Sequence, residues 1–385
     1  MFKKFDNYDG VCFFNGLIFY APVALLIRTQ AGVSNATFFM LQALLSLAIF
    51  VGEIPTGFIT DKIGYKKSII LAQIIMLLSR IILLLAFVFH SIWLFVLEAV
   101  MEGIGGCLSS GTCEAYIYST YGETAFARKS AHSANYGTIG FIISTITYVF
   151  IYQYFDMDGL LISTIVSGIL AVLFAIRLDE CNEKSPCEKG DKNPSLETGN
   201  ITALFKNNNS RSIMLTLSIF SVIWILINFF YVEKLTSLGI SEEWISGIIL
   251  GYSLIEMLAE PIVSWGEKVV KTRLFTVFCA LSGLAVVMLG ILQNRVVSII
   301  VMCITPLLVS VAEYLLMERE NKLIDDLNMH ENRAASLSAM NMGVNIVEIA
   351  ALFLSSMFSL AAVKWCFVLT GSILVIISIC GISHK

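Results

Sequence analysis

Long apolar runs recur along the whole chain, each separated from the next by a short polar segment. Each run is close to the ~20 residues that an α-helix needs to cross a bilayer core, and none shows the alternation of barrel strands. The pattern therefore predicts an all-α membrane protein. Its twelve transmembrane helices are predicted at residues 11–29, 36–60, 67–89, 92–117, 130–152, 159–178, 211–232, 243–265, 273–292, 296–316, 335–358 and 363–382.

A polar and charged stretch separates the first six runs from the last six. We predict a cytoplasmic linker at residues 181–210, between an N-terminal six-helix bundle at 1–180 and a C-terminal six-helix bundle at 211–385. The two halves are related at a constant offset, which aligns Pro55 with Pro261 and, in the same register, Asp61 with Glu267. Such repeats are typical of carriers built from two pseudo-symmetric bundles.

Composition and charge agree with a membrane protein. Hydrophobic residues make up 57% of the chain, charged residues make up 14%, and the mean hydropathy is +0.81; these values exclude a soluble globular protein. All but five of the 25 Lys and Arg residues fall in segments that are cytoplasmic when both termini are inside. The positive-inside rule therefore predicts a multi-pass protein of the cell membrane, inner or plasma, with both termini cytoplasmic. The exceptions are Arg80 within a span, and Arg28, Lys234, Arg295 and Lys364, which we place in external loops.

Several other chemistries find no support in the sequence. The four histidines form no nucleophile and base pair, and the nine cysteines show no metal-ligand spacing. No nucleotide-binding loop is present, and no basic patch with interleaved aromatic residues suggests nucleic acid. We predict a monomer that is not an enzyme, has no metal or cofactor, and has the lipid bilayer, protons and a small-molecule substrate as its partners.

A charged turn of eleven residues, from Gly57 to Lys67, lies between the second and third predicted spans. Gly57 permits close helix packing, and Gly64 permits the positive φ of a tight reversal. The charged side chains cannot enter hydrocarbon cheaply, so we expect the turn at the cytoplasmic membrane surface. They are Asp61, Lys62, Lys66 and Lys67.

The turn resembles the major facilitator superfamily signature Gly-x4-Asp-[Lys/Arg]-x-Gly-x-[Lys/Arg]-[Lys/Arg], which joins the second and third helices of that fold. The stretch from Glu53 to Gly57 is similar to a bacterial branch of drug and small-solute transporters. The resemblance implies two six-helix bundles around a central cavity, with alternating access to a substrate. It also implies that Asp61 interacts with the N-terminus of the eleventh predicted helix, or with a nearby basic residue, when the cytoplasmic side is closed.

Acidic side chains inside the predicted spans are the main candidates for function. A charge at the centre of a membrane helix costs on the order of 3 kcal/mol on insertion scales, so such residues face water, find partners or hold a proton. The set comprises Glu53, Glu98, Glu102, Glu114, Glu256, Glu260, Glu313 and Glu348.

Depth along the helices separates two roles in the fourth predicted span. Arg80 and Glu98 lie at similar depth on consecutive helices, so we predict that they form an ion pair. Glu102 lies one turn deeper than Glu98 on the same face and has no evident basic partner. We predict proton coupling at Glu102; the structural alternative is a protonated carboxyl that makes one interhelical hydrogen bond.

Further polar residues are expected to share the central chamber. The resemblance implies that the helices carrying them surround the cavity, and an acidic chamber favours cations through charge and cation–π contacts. The predicted substrate-binding and proton-coupling residues are Asn15, Glu98, Glu102, Asn228, Glu256, Glu313, Asn341, Asn345 and Glu348.

Residues near the cytoplasmic helix ends are assigned to gating rather than to substrate contact. The candidate partners of Asp61 are Arg128, Lys129 and Arg333, although the positive-inside rule alone also explains bases at these positions. The predicted gating residues are Glu53, Gly57, Asp61, Lys62, Gly64, Lys66, Lys67, Glu114, Arg128 and Arg333.

Secondary active transport is the function that follows. The favoured cargo is a small cationic or amphipathic organic molecule, exported by proton antiport with alternating access. Proton-coupled uptake of a nutrient stays open, because Ala99 stands where related antiporters carry Arg and residues 137–141 contain no Pro. The alternative from another class is a non-transporting membrane scaffold or sensor, which needs neither the charged turn nor the buried acids.

Overall fold

The structure is a computed structural model that describes residues 5–180, 204–230, 235, 238–240, 242–266, 271–355 and 360–380. Every regular element within these ranges is helical. The α-helices are α1 (Asn7–Gly16), α2 (Ala24–Gln30), α3 (Asn35–Ile63), α4 (Tyr65–Phe89), α5 (Ile92–Tyr121), α6 (Glu123–Ile176), α7 (Asn208–Ile225), α8 (Glu242–Glu256), α9 (Ala259–Gly266), α10 (Lys271–Ile291), α11 (Arg295–Asp326), α12 (Arg333–Ser355) and α13 (Leu360–Cys380). Residues 181–203 of the predicted linker and residues 267–270, which contain the counterpart of Asp61, lie outside the described ranges.

Nine helical segments in the described part of the chain are long and apolar enough to cross a membrane. One of them, α6, has 54 residues and is interrupted at Asp156, whose φ of 52° and ψ of −155° are not helical. At 1.5 Å per residue, the parts of α6 before and after Asp156 are about 50 Å and about 30 Å long, so each is long enough for one crossing. The protein is therefore a multi-pass, all-helical membrane protein.

The described residues form two compact units. The first unit contains α1 to α4, α5 up to Thr120, α6 from His132 onward, and the segment His330–Ala339. The second contains the segment Tyr121–Ala131, α7 to α11, α12 from Met340 onward, and α13. The first residues of α6 and of α12 thus belong to a different unit from the rest of the same helix.

Each unit buries its own apolar core. In the first unit, Leu83, Phe95 and Leu160 are fully buried together. In the second unit, Phe220 and Phe275 belong to a cluster of the same kind. Large apolar side chains also remain exposed along the helices, as lipid contact requires.

The turn between α3 and α4 is as tight as the sequence predicts. Gly64 follows α3 directly and has a φ of 91°, which residues other than glycine adopt only with strain. The next helix, α4, begins at the following residue. The α3–α4 turn therefore keeps its charged residues in one compact segment.

Three predicted spans are interrupted rather than continuous. The span at 11–29 is split after Gly16 and resumes through a 3-10 turn that contains Pro22. The span at 211–232 changes from α7 to a π-helical turn at Leu226–Phe230. The span at 243–265 breaks between α8 and α9, because Pro261 has no N–H and is accommodated in the first turn of a new helix.

Candidate functional site

The carboxylate of Asp61 lies on the first turn of α12. Its Oδ1 accepts a hydrogen bond from the backbone N–H of Ala334 at 2.9 Å, and its Oδ2 accepts one from Ala335 at 2.8 Å. These N–H groups have no acceptor within the helix, and the helix dipole is positive there. All three residues belong to the first unit. This is the contact that the resemblance implies; its role in gating stays a prediction.

Two glycines let α12 approach this closely. A methyl group at Gly57 of α3 would lie 2.6 Å from the Cα of Ala335, and one at Gly111 of α5 would lie 3.1 Å from the carbonyl oxygen of Ala334. Buried Arg333 stacks over the ring of Tyr118, 4.3 Å from its centroid, and interacts electrostatically with Asp61. The start of α12 is therefore held in place by close packing, an electrostatic interaction and two hydrogen bonds.

The remaining predicted gating residues occupy varied surroundings. Glu53 is buried, Glu114 is half-buried, and both lie in the first unit. In the α3–α4 turn, Lys62 and Lys67 are exposed and Lys66 is half-buried. Arg128 is half-buried and belongs to the second unit. Arg333, one of the three candidate partners of Asp61, interacts with it electrostatically.

Asp61→Asn is expected to slow turnover about tenfold with little loss of cargo binding. Asparagine offers one acceptor oxygen for two N–H donors and removes the negative charge from a positive helix end. Turnover at saturating cargo and equilibrium binding are to be measured side by side. Asp158→Asn, which neutralises an exposed acid of the same unit, is the control. Full turnover in Asp61→Asn would remove the gating role.

Glu98 forms a buried ion pair, but with Arg28. The Nη2 of Arg28 lies 2.9 Å from Oε1 of Glu98, and both side chains are at most 5% exposed. The same guanidinium also donates to the carbonyl of Ala24 and lies 5.5 Å from the ring centroid of Phe38. The placement of Arg28 in an external loop is wrong: it is buried in α2, between α3 and α5.

The predicted pair between Arg80 and Glu98 is also wrong. Arg80 is buried in α4 and donates to the carbonyl of Thr164 at 3.3 Å and to Oγ of Ser167 at 3.5 Å, both on α6. Arg28, which lies in α2 beyond the break after Gly16, pairs with Glu98 in place of Arg80. Comparable depth on consecutive helices was not enough to identify the partner.

Glu102 stands next to this buried pair without an ion pair of its own among the described residues. Its carboxyl is half-buried and interacts electrostatically with Glu98, Arg80 and Tyr20. Two arginines and two glutamates therefore lie close together in the first unit, and their formal charges balance. Glu98 is paired with Arg28, whereas Glu102 forms no direct ion pair among the described residues.

The second unit holds three acids with a different environment. Ser310 donates to Oε1 of Glu256 at 2.6 Å, and Trp224 donates through Nε1 to Oε2 of Glu313 at 3.0 Å. Ser221 donates to Oε2 of Glu348 at 2.6 Å. Within the described residues, no basic side chain pairs with any of the three. The sequence nominated these carboxyls, but not the serines and the tryptophan that hold them.

Four asparagines were also predicted as substrate-binding residues. Asn15 lies in α1, and its buried Oδ1 accepts no hydrogen bond among the described residues. Asn228 lies in the π-helical turn after α7 and is exposed, whereas Asn341 and Asn345 are half-buried on α12. No group of three or more metal-ligating side chains is found within the described ranges.

The family of the chain is decided by comparison with known proteins. A sequence model of the Major Facilitator Superfamily matches residues 10–318. The chain belongs to the Major Facilitator Superfamily. Proteins of this superfamily are transporters that bind small-molecule substrates, and the chain is accordingly a transporter rather than an enzyme. No curated protein sequence is detectably similar to the chain.

Solved structures of Major Facilitator Superfamily transporters share the fold. The fucose:proton symporter of E. coli is 12% identical, with a TM-score of 0.77 and 97% of both chains covered. The human organic anion transporter MFSD10 is 12% identical, with a TM-score of 0.72 and 97% of both chains covered. The proton:xylose symporter XylE is 14% identical, with a TM-score of 0.70, covering 98% of this chain and 94% of that one. At these identities the likeness concerns the fold alone.

Proposed function

We propose that this Major Facilitator Superfamily transporter exports small cationic or amphipathic organic molecules in exchange for protons. The observation that carries the proposal is the environment of Glu256, Glu313 and Glu348, which receive hydrogen bonds only from neutral donors in the described part of the chain. A carboxylate without a basic partner is costly inside a membrane protein, and a bound cation or a proton offsets that cost.

Charge favours a cationic cargo over an anionic one. Glu256, Glu313 and Glu348 have no basic partner among the described residues of the second unit, so an anion beside them would meet repulsion that no described arginine or lysine offsets. The half-buried indole of Trp224 next to Glu313 adds an aromatic group of the kind that attracts organic cations. Glu256, Glu313 and Glu348 are therefore proposed as the cargo-binding acids, together with Asn228, Asn341 and Asn345.

The first unit supplies the proposed proton site. Glu98 is paired with Arg28, and Arg80 donates to α6, so Glu102 is the acid of this cluster that has no direct basic partner among the described residues. We assign proton coupling to Glu102 and a structural role to Glu98. We propose that the transporter is a monomer of the inner or plasma membrane, with twelve helices in two pseudo-symmetric bundles and both termini in the cytoplasm.

Proton-coupled uptake of a nutrient is the second candidate. It is favoured by Ala99, which stands where related antiporters carry Arg, and by the absence of Pro from residues 137–141. Two of the structural relatives named above are proton symporters. The same carboxyls would serve uptake and export, so only the direction of coupling separates the two.

Flux into proteoliposomes under a pH gradient of each sign tests the proposal. Antiport predicts that ethidium accumulates in vesicles with an acidic interior, because protons leaving the vesicle drive the cation inward. Empty liposomes under the same gradients are the control. Ethidium uptake only with an acidic exterior would indicate symport, and no uptake under either gradient would contradict cation transport.

A further inference from the structure

Trp224 is the one described residue that donates a hydrogen bond to Glu313. Its Nε1 lies 3.0 Å from Oε2 of the carboxyl and joins α7 to α11 within the second unit. Ser310 lies one turn before Glu313 on the same face of α11, and its hydroxyl points to Glu256 of α8. A short polar row on α11 thus connects α7 and α8.

The three donors to the acids of this unit are not equivalent. A serine hydroxyl both donates and accepts, so Ser310 and Ser221 can rotate to suit a charged or a protonated carboxyl. An indole N–H only donates, so Trp224 suits an oxygen that keeps its lone pair. Oε2 of Glu313 is therefore a permanent acceptor, and among the described residues no donor contacts Oε1.

The backbone around this contact is irregular on both sides. α7 changes to a π-helical turn two residues after Trp224, and α11 contains Pro306 one turn before Ser310. Prolines and π turns bend helices and re-aim the side chains next to them. The indole and the carboxyl consequently meet at a place where neither helix is uniform.

We infer that Trp224 is the positioning residue of Glu313: its N–H fixes the carboxyl so that Oε1 faces the cationic cargo. The inference rests on the proposed transport of cations. Trp224 acts through Glu313 rather than as a required contact of its own, so its effect on binding depends on the acid being present. A hydrogen bond to a charged group also restricts the carboxylate to one orientation, which lowers the entropy cost of binding.

Equilibrium binding of tetraphenylphosphonium to the purified full chain tests the inference. Trp224→Phe keeps an aromatic ring and removes the donor, so we expect the affinity for tetraphenylphosphonium to fall about tenfold. In a Glu313→Gln background, Trp224→Phe should cause no further loss, because residues that act through one another are not additive. Trp265→Phe, an exposed tryptophan of α9, is the matched control.

The possible outcomes distinguish failure of the positioning role from failure of the proposed cation transport. Wild-type protein that binds no tetraphenylphosphonium would overturn both cation transport and the role of Trp224. Wild-type binding with equal affinity in Trp224→Phe and Trp265→Phe would overturn the positioning role alone, as would an undiminished effect of Trp224→Phe in the Glu313→Gln background. If Trp224→Phe does not fold, a benzothiophene analogue of tryptophan at position 224 removes the same donor with almost no change of shape.

Discussion

Glu102→Gln is expected to abolish transport driven by a pH gradient while leaving the folded protein intact. Glutamine keeps the size of the side chain but cannot carry a proton between the two sides of the membrane. Stability should change little, because Glu102 makes no direct ion pair among the described residues. Gradient-driven ethidium uptake and the melting temperature in detergent are to be measured on the same preparation.

Exchange without a gradient distinguishes lost coupling from lost transport. The variant should still exchange internal for external ethidium at equal pH, because its cargo-binding acids are untouched. Glu180→Gln, at an exposed position just beyond α6, is the matched control and should behave like the wild type. Gradient-driven uptake that survives in Glu102→Gln would dismiss this carboxyl as the coupling site.

Arg28→Met is expected to destabilise the protein by about 3–5 kcal/mol, the cost of breaking a buried ion pair from one side. The substitution keeps the length of an apolar stem and leaves the carboxyl of Glu98, which is 1% exposed, without its partner. Expression and melting temperature should both fall. The double variant with Arg28→Met and Glu98→Met should recover most of the loss, since an apolar pair of similar volume can replace a buried ion pair.

An exposed pair provides the contrast. Lys322 and Glu123 also lie 2.9 Å apart, but their side chains are 53% and 43% exposed. Lys322→Met should therefore cost less than about 1 kcal/mol. If Arg28→Met melts at the same temperature as Lys322→Met, burial of the Arg28 pair contributes nothing, and the structural role assigned to Glu98 is wrong.

Much of the fold is readable from the sequence because the bilayer fixes the length of an apolar helix. The glycine and the acid of the α3–α4 turn are part of the motif that resembles the superfamily signature; a short reversal favours glycine, and a helix N-terminus favours an acid. The interruptions are harder to predict. A proline such as Pro22 permits a break in a helix, but whether the chain breaks there depends on the neighbours that accept the irregular backbone.

Only part of the candidate site could be predicted from the sequence. Glu313 could be nominated because a carboxyl in a span is costly wherever its helix packs. Its donor Trp224 is 89 residues away and looks like any aromatic residue of an apolar span. The partner of Glu98 was missed because Arg28 was placed in an external loop, whereas it is buried in α2, beyond the break after Gly16.

The Arg28–Glu98 pair also has a consequence for biogenesis. Arg28 leaves the ribosome 70 residues before the acid that neutralises it. Until Glu98 follows, an arginine in the first span costs the nascent chain about 2.5–3.5 kcal/mol in hydrocarbon. The first helices are therefore expected to stay near the insertion machinery or the lipid headgroups until α5 has been made, so that membrane entry and tertiary assembly of the first unit proceed as one event.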